Sequence, residues 1–334
     1  MVKKGPLRWQ ERPPLGGGRG LTEGPQAVTL GASWVSTRPL SGDAMMGGTT
    51  RREFLAASTA ALAAGRAALG AEGAPKWTMR LSTSSNHFRQ LSLEDACERV
   101  GKLGFEAIDI WSAFQGCKHL DDAKDRLGAD GLKELLAKHN LKLFAFSVYV
   151  GGYPKYAEFL GECGGGVAVQ GSAGAAKPEE LTARMKAYIE ALKPQVEMCE
   201  KFDSRLAIEN HGGSLLCTID SMKAFVDCNS SPRLGIALAP YHVQAGKMSV
   251  EEAIRACGKQ LFFFYAWQHA PGVNELPGHG PTDFVPWMKA LADVGYAGCV
   301  NVFTHHHMDA DAMTAALAKA RDYVKDCYAR SAAV

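Results

Sequence analysis

Cysteine is missing from the first 96 residues, and the nine that follow include no C-x-x-C pair, which excludes a zinc knuckle and a thioredoxin-type redox motif. There is no run of about 20 apolar residues, so nothing reads as a permanent membrane span. No G-x-G-x-x-G follows a candidate first strand, so a dinucleotide fingerprint is lacking. Neither sign of charge is in excess: 37 basic and 35 acidic residues leave a net +2 over 334 residues. Beyond the N-terminal segment the charges are interspersed, and without a basic stripe a nucleic-acid partner is not expected. What remains is ordinary globular composition, 46% hydrophobic and 22% charged, enough for a full core and one or two domains. A small neutral or anionic ligand fits this balance, and a homo-oligomer is compatible with it.

The first part of the chain is of a different kind. Residues 1–44 are rich in Gly, Pro and Arg without an apolar period and read as a disordered or mis-annotated extension. Residues 45–73 carry Arg51-Arg52, then Phe54-Leu55, an Ala-rich apolar run and small residues near Ala68 to Ala71. This stretch is similar to a twin-arginine export signal, the alternative being an amphipathic helix. It implies a start at Met45 or Met46 and an exported, periplasmic or extracytoplasmic product. An odd cysteine count leaves at least one thiol unpaired, and the cysteines are expected to be mostly free and buried.

From residue 76 to about 330, short apolar strands alternate with helical patterns. Strands are expected at 79–82, 107–111, 143–148, 167–170, 206–209, 235–238, 262–267 and 298–303. Helices are expected at 93–103, 131–139, 153–161, 178–201, 221–229, 249–257, 284–294 and 309–327. Near-continuous apolar strands separated by helices imply a parallel sheet covered by helices. Eight such units match the size of an α/β (β/α)8 TIM barrel. An open doubly wound sheet is the rival, and the run Gly164-Gly165-Gly166 precedes a strand, the wrong side for a phosphate loop.

Barrel chemistry sits at the C-terminal strand ends. In order these carry Asn86 and His87; Asp109 and Trp111; Ser147 and Tyr149; Gln170 and Ser172; Glu209, Asn210 and His211; Tyr241 and His242; Gln268 and His269; Thr304, His305 and His307. Five of the ten histidines, His211, His242, His269, His305 and His307, are among these strand-end residues of the second half, with His279 just beyond strand seven.

Four stretches then carry a resemblance: Leu103-Gly104-Phe105-Glu106-Ala107-Ile108-Asp109-Ile110, Leu206-Ala207-Ile208-Glu209-Asn210-His211, Pro277-Gly278-His279-Gly280-Pro281-Thr282-Asp283-Phe284, and Gly295-Tyr296-Ala297-Gly298. In this order and spacing they resemble the sugar phosphate isomerase/epimerase family of xylose isomerase-like barrels over residues 77 to 328. The resemblance implies a divalent metal held by a Glu after strand five, an Asp in Asp-x-x-His after strand six, a His on strand seven and a Glu ending strand eight. Here Glu209 matches the first. Ala239 replaces the Asp while His242 is kept, the strand-seven position falls near Ala266 with His269 as the nearest imidazole, and Phe303 stands at the last.

With two carboxylates missing, the family's paired-base proton transfer cannot run as the family runs it. One Glu and several imidazoles suit Zn, Fe or Co, with Mn less favoured. The expectation is a rebuilt site in which Glu209, His242 and His269 ligate a metal, and Glu209, His242 and His279 or His305 move protons. His87, Asp109, Trp111, Asn210, His211, Gln268 and His305 are the candidates for substrate contact. Asp109 alternatively caps a turn, and Phe262 to Tyr265 reads as plain buried strand. Export favours a free sugar, polyol or sugar derivative over a phosphorylated one. The activity expected is isomerisation or epimerisation, the alternative a non-catalytic carbohydrate-binding barrel with a degenerate metal site.

Overall fold

The computed structural model describes residues 77–332; the extension expected at 1–44 and the export signal expected at 45–73 lie outside them. Within them eight strands close into an all-parallel barrel in chain order. The strands are β1 Arg80–Ser84, β2 Ala107–Trp111, β3 Lys142–Ser147, β4 Val167–Gly171, β5 Arg205–Glu209, β6 Leu234–Leu238, β7 Leu261–Ala266 and β8 Cys299–Val302. The helices are α1 Leu93–Lys102, α2 His119–Asp122, α3 Gly128–Lys138, α4 Tyr153–Glu162, α5 Leu181–Ala191, α6 Lys193–Lys201, α7 Ile219–Cys228, α8 Pro240–Ala245, α9 Val250–Cys257, α10 Val285–Asp293 and α11 Ala310–Ser331. None of these helices is long and apolar enough to cross a membrane. All nine cysteines are free.

Local chemistry accounts for the element ends. Ser92 caps α1 by accepting from the Asp95 amide, and Thr218 with Ser221 forms a reciprocal capping box on α7. The helix expected over 178–201 is two, because Pro194 in the first turn of α6 has no amide to continue a ladder from α5. An unexpected helix, α8, begins at Pro240 immediately after β6 and so lifts Tyr241 and His242 onto the barrel rim.

Strand alternation sorts the core into two layers. Leu206, Ile208, Leu234, Ile236, Val300 and Val302 face the helices in one buried cluster. Trp111, Phe144, Phe263, Tyr265, Trp267 and Phe303 fill the lumen, facing the small side chains Ala145, Ala207, Ala237 and Ala239. The lumen is therefore packed by rings set against small side chains from β3, β5 and β6. β1 runs to Ser84, two residues beyond expectation, because its end is polar by function: Ser82 and Ser84 point into a hydrogen-bonded lumen layer.

Candidate functional site at the barrel mouth

Glu209 is the last residue of β5 and faces inward, paired in register with Gly171 on β4 and Ala237 on β6, whose small size leaves its carboxylate room. It is only 9% exposed. Burial raises its pKa from 4.5 to about 7; a hydrogen bond from Tyr149 opposes that rise and the charge of Asp109 adds to it. The Tyr149 hydroxyl also meets that of Tyr265 at 2.9 Å.

Asp109, fully buried on β2, anchors the layer beneath. Its carboxylate accepts from Ser84 at 2.7 Å, from Ser147 at 2.9 Å and from the Trp111 indole at 2.5 Å. Asn301 extends the chain, donating to Ser84 at 3.0 Å and accepting from Ser82 at 2.9 Å. Desolvation again raises the pKa to about 7, against those three donors. Asp109 is thus part of a satisfied buried network rather than the cap of a turn.

Above Glu209 the rim is aromatic and imidazole. Trp111 stacks on Phe303 with centroids 5.3 Å apart, and Tyr241 stacks on Trp267 at 4.2 Å. His242 lies 4.1 Å from the exposed His211 ring and edge-on to Trp267. His305 sits edge-on to Trp267 and Phe303, 5.0 and 4.9 Å between centroids, and its Nδ1 is shielded from solvent without a hydrogen-bond partner. Burial drives His242 down to about 3 and His305 to about 4, and the neighbouring histidines His211, His305 and His269 push His242 the same way. Both rings are neutral at physiological pH and keep an N–H to donate.

The other expected residues are placed differently. His87 is buried with both nitrogens used: Nδ1 against the Thr83 hydroxyl at 3.0 Å, Nε2 accepting from the Thr304 amide at 3.1 Å. It ties β1 to the loop after β8 and has no nitrogen left for a ligand. Asn210 clamps Ala239 at both ends, its Oδ1 accepting from the amide at 2.6 Å and its Nδ2 donating to the carbonyl at 3.2 Å. Gln268 likewise staples its own loop, donating to the Leu276 carbonyl at 2.8 Å and accepting from the Thr282 amide at 2.9 Å. His279 points into the helical layer, donating to the Ala316 carbonyl at 3.1 Å. His269 is exposed, edge-on to Tyr241. Asn210→Ala should cost about 2 kcal/mol of stability by leaving a buried strand-end amide and carbonyl unpaired, which a urea denaturation curve reads directly.

Two participants were not foreseen. Tyr265, read as plain strand, reaches the centre of the lumen. Glu275 buckles the β7 and β8 loops together, accepting from the Trp267 indole at 3.0 Å, the Thr304 hydroxyl at 2.7 Å and the His305 amide at 2.8 Å. Its only trace in the sequence is a lone acid close to a histidine-rich stretch.

The donor set does not fit a resident metal. Among the described residues no three His, Cys, Asp or Glu side chains converge on a point where an ion could sit. Ala239 and Phe303 are buried and apolar, and Ala266 packs in the helix-facing layer while Trp267 occupies the lumen. Glu209, His242 and His269 are therefore not assembled as ligands of one ion.

Comparison with known proteins agrees with this architecture. Residues 97–327 match the family described as xylose isomerase-like TIM barrel. No curated protein is similar enough to match. Among solved structures, 3-keto-D-glucoside 4-epimerase from E. coli is 15% identical with a TM-score of 0.58, covering 73% of this chain and 100% of that one. D-psicose 3-epimerase from Clostridium cellulolyticum, solved with D-tagatose, is 16% identical with a TM-score of 0.60, over 75% and 99%. The IOLI protein, solved with a zinc atom, is 18% identical with a TM-score of 0.59, over 76% and 99%. At these identities the solved structures speak for the fold alone, whereas the family match spans most of the chain: this protein belongs to the xylose isomerase-like TIM barrel family.

Proposed function

We propose that the protein acts on a free carbohydrate or sugar derivative by proton transfer next to a carbonyl, with Glu209 as the group that carries the proton. The observation behind this reading is positional: the Glu209 carboxylate is held at the inner end of β5 beneath a rim of stacked rings and neutral imidazoles. A carboxyl group with a pKa near 7 is matched to taking and returning a proton at neutral pH. Neutral His242 and His305 supply N–H donors for the developing oxyanion, and the half-buried Tyr241, backed by buried Trp267, is the aromatic ring at the rim for the C–H side of a sugar. The substrate class proposed is the one that the sugar epimerases among the solved neighbours act on. A single base returns the proton to the face from which it took it, which favours isomerisation between adjacent carbons. Inversion needs a second group opposite, where Phe303 and Ala239 stand.

The family's divalent metal, as zinc in one neighbour, is given no step here because the donors do not converge. The second reading, a non-catalytic carbohydrate-binding barrel, is favoured by the same buried Phe303 stacked on Trp111. Both readings expect Trp267→Ala to weaken sugar affinity about tenfold, read by titration calorimetry against a panel of free hexoses. An unchanged affinity would remove the rim from the site. Export by the twin-arginine route is part of the proposal, tested by N-terminal sequencing of the secreted form.

A further inference from the structure

The opposite end of the barrel carries a second concavity. A cavity of about 410 Å³ opens at the N-terminal ends of the strands, floored by Phe144, Val167 and Phe262. Its charged lining is Arg80, Arg205, Arg233 and Lys259 against the single acid Asp203, four cations to one anion in a chain whose totals nearly balance. Three of the four cations are held by neighbours. Arg205 lies with its guanidinium 5.2 Å above the Phe262 ring, an arrangement that fixes the plane and leaves the N–H edges free. Arg233 is anchored to Asp203 at 2.7 Å through one terminal nitrogen, and Arg80 to the carbonyl of Ala297. Neither Arg205 nor Lys259 is in an ion pair among the described residues. Concentrating like charges in one concavity is unfavourable unless an anion shares it.

We propose that this cavity is a binding site for a small multivalent oxyanion, a phosphate-type or dicarboxylate ligand, distinct from the mouth. Arg205 supplies a planar two-toothed fork, Lys259 and Arg233 the flanking charge, and the aromatic floor a low-dielectric back wall that strengthens both. Asp203 is the opposing charge that limits affinity.

The test is calorimetric titration of the purified protein with inorganic phosphate at low ionic strength, alongside thermal melting. The wild type should bind with one site per chain, and melting should shift upward with phosphate. Arg205→Ala and Lys259→Met should each weaken binding about tenfold, and Arg205→Lys should recover only part of it, because a point charge cannot make the paired contact. Asp203→Asn removes the opposing charge while its amide oxygen can still accept from Arg233, and should tighten binding several-fold. Glu209→Gln, at the other end, should leave phosphate binding as it is. Absence of binding, or binding indifferent to Arg205 and Lys259, would overturn the site. So would binding lost with Glu209→Gln, which would move the anion to the mouth without bearing on the sugar reading.

Discussion

Glu209→Gln should abolish proton transfer on sugar and at the same time make the protein more stable above neutral pH. The catalytic half follows from the position of Glu209, because the other two carboxylates nearby are committed: Asp109 to three donors below it, and Glu275 to the Trp267 indole, the Thr304 hydroxyl and the His305 amide. Loss of a sole general base typically costs about 10²- to 10⁴-fold. The stability half follows from linkage. The carboxyl pKa is raised on folding from 4.5 to about 7, so the folded protein holds a proton that the unfolded chain has released between those values. The stability this group contributes is full below about pH 4.5 and lost as pH rises through 7, amounting to roughly 3 kcal/mol. Glutamine imitates the protonated form at every pH. The variant should therefore exceed the wild type by that order above pH 7.5, with the difference closing towards pH 4.5, as read by urea denaturation across pH. The depressed histidines slope the other way: His242, near 3 in the folded protein, contributes stability above 6.5 that is lost as pH falls towards 3. It is common to both proteins and cancels in the difference.

Asp109→Ala should be the most damaging single change in the lumen. It strands the Ser84 and Ser147 hydroxyls and the Trp111 indole N–H, all buried, with no carboxylate to accept them. Each buried donor left unpaired costs about 1–3 kcal/mol, so the sum is on the order of 4 kcal/mol or more, a large part of the stability of a typical domain. Asp109→Asn should do less harm in size but still turns an amide NH₂ toward groups that are themselves donors. A melting temperature within a few degrees of wild type for Asp109→Ala would mean that the network is not closed as drawn.

Strand positions were legible because both faces of a barrel strand are buried, and so each reads as a short apolar run between helices. Glu209 stood out for the same reason, as an acid ending such a run. The end of β1 was hidden because Ser82, Thr83 and Ser84 look like loop and only the closed barrel gives them partners. Strand-seven alignment misled because the β6–β7 pairing shifts register between Ile236 and Ala237, so inward and outward could not be counted from the sequence. Ala266 then faces the helices and Trp267 the lumen, while His269 lies beyond the strand and is exposed. His87, Asn210 and Gln268 are polar residues at strand ends, as ligand contacts are; only their hydrogen bonds reveal that they tie the protein to itself. No reading of one strand at a time finds Glu275, whose partners come from two loops.

The measurement that bears most directly on the proposed chemistry is deuterium incorporation into free aldoses and ketoses in D₂O, followed by proton NMR with chelator-treated protein. Wild type should exchange the hydrogen on the carbon beside the carbonyl of at least one sugar, undiminished by the chelator, and Glu209→Gln should not. Exchange that appears only when a divalent metal is restored, exchange that survives in Glu209→Gln, or sugar binding with no exchange at all would contradict it.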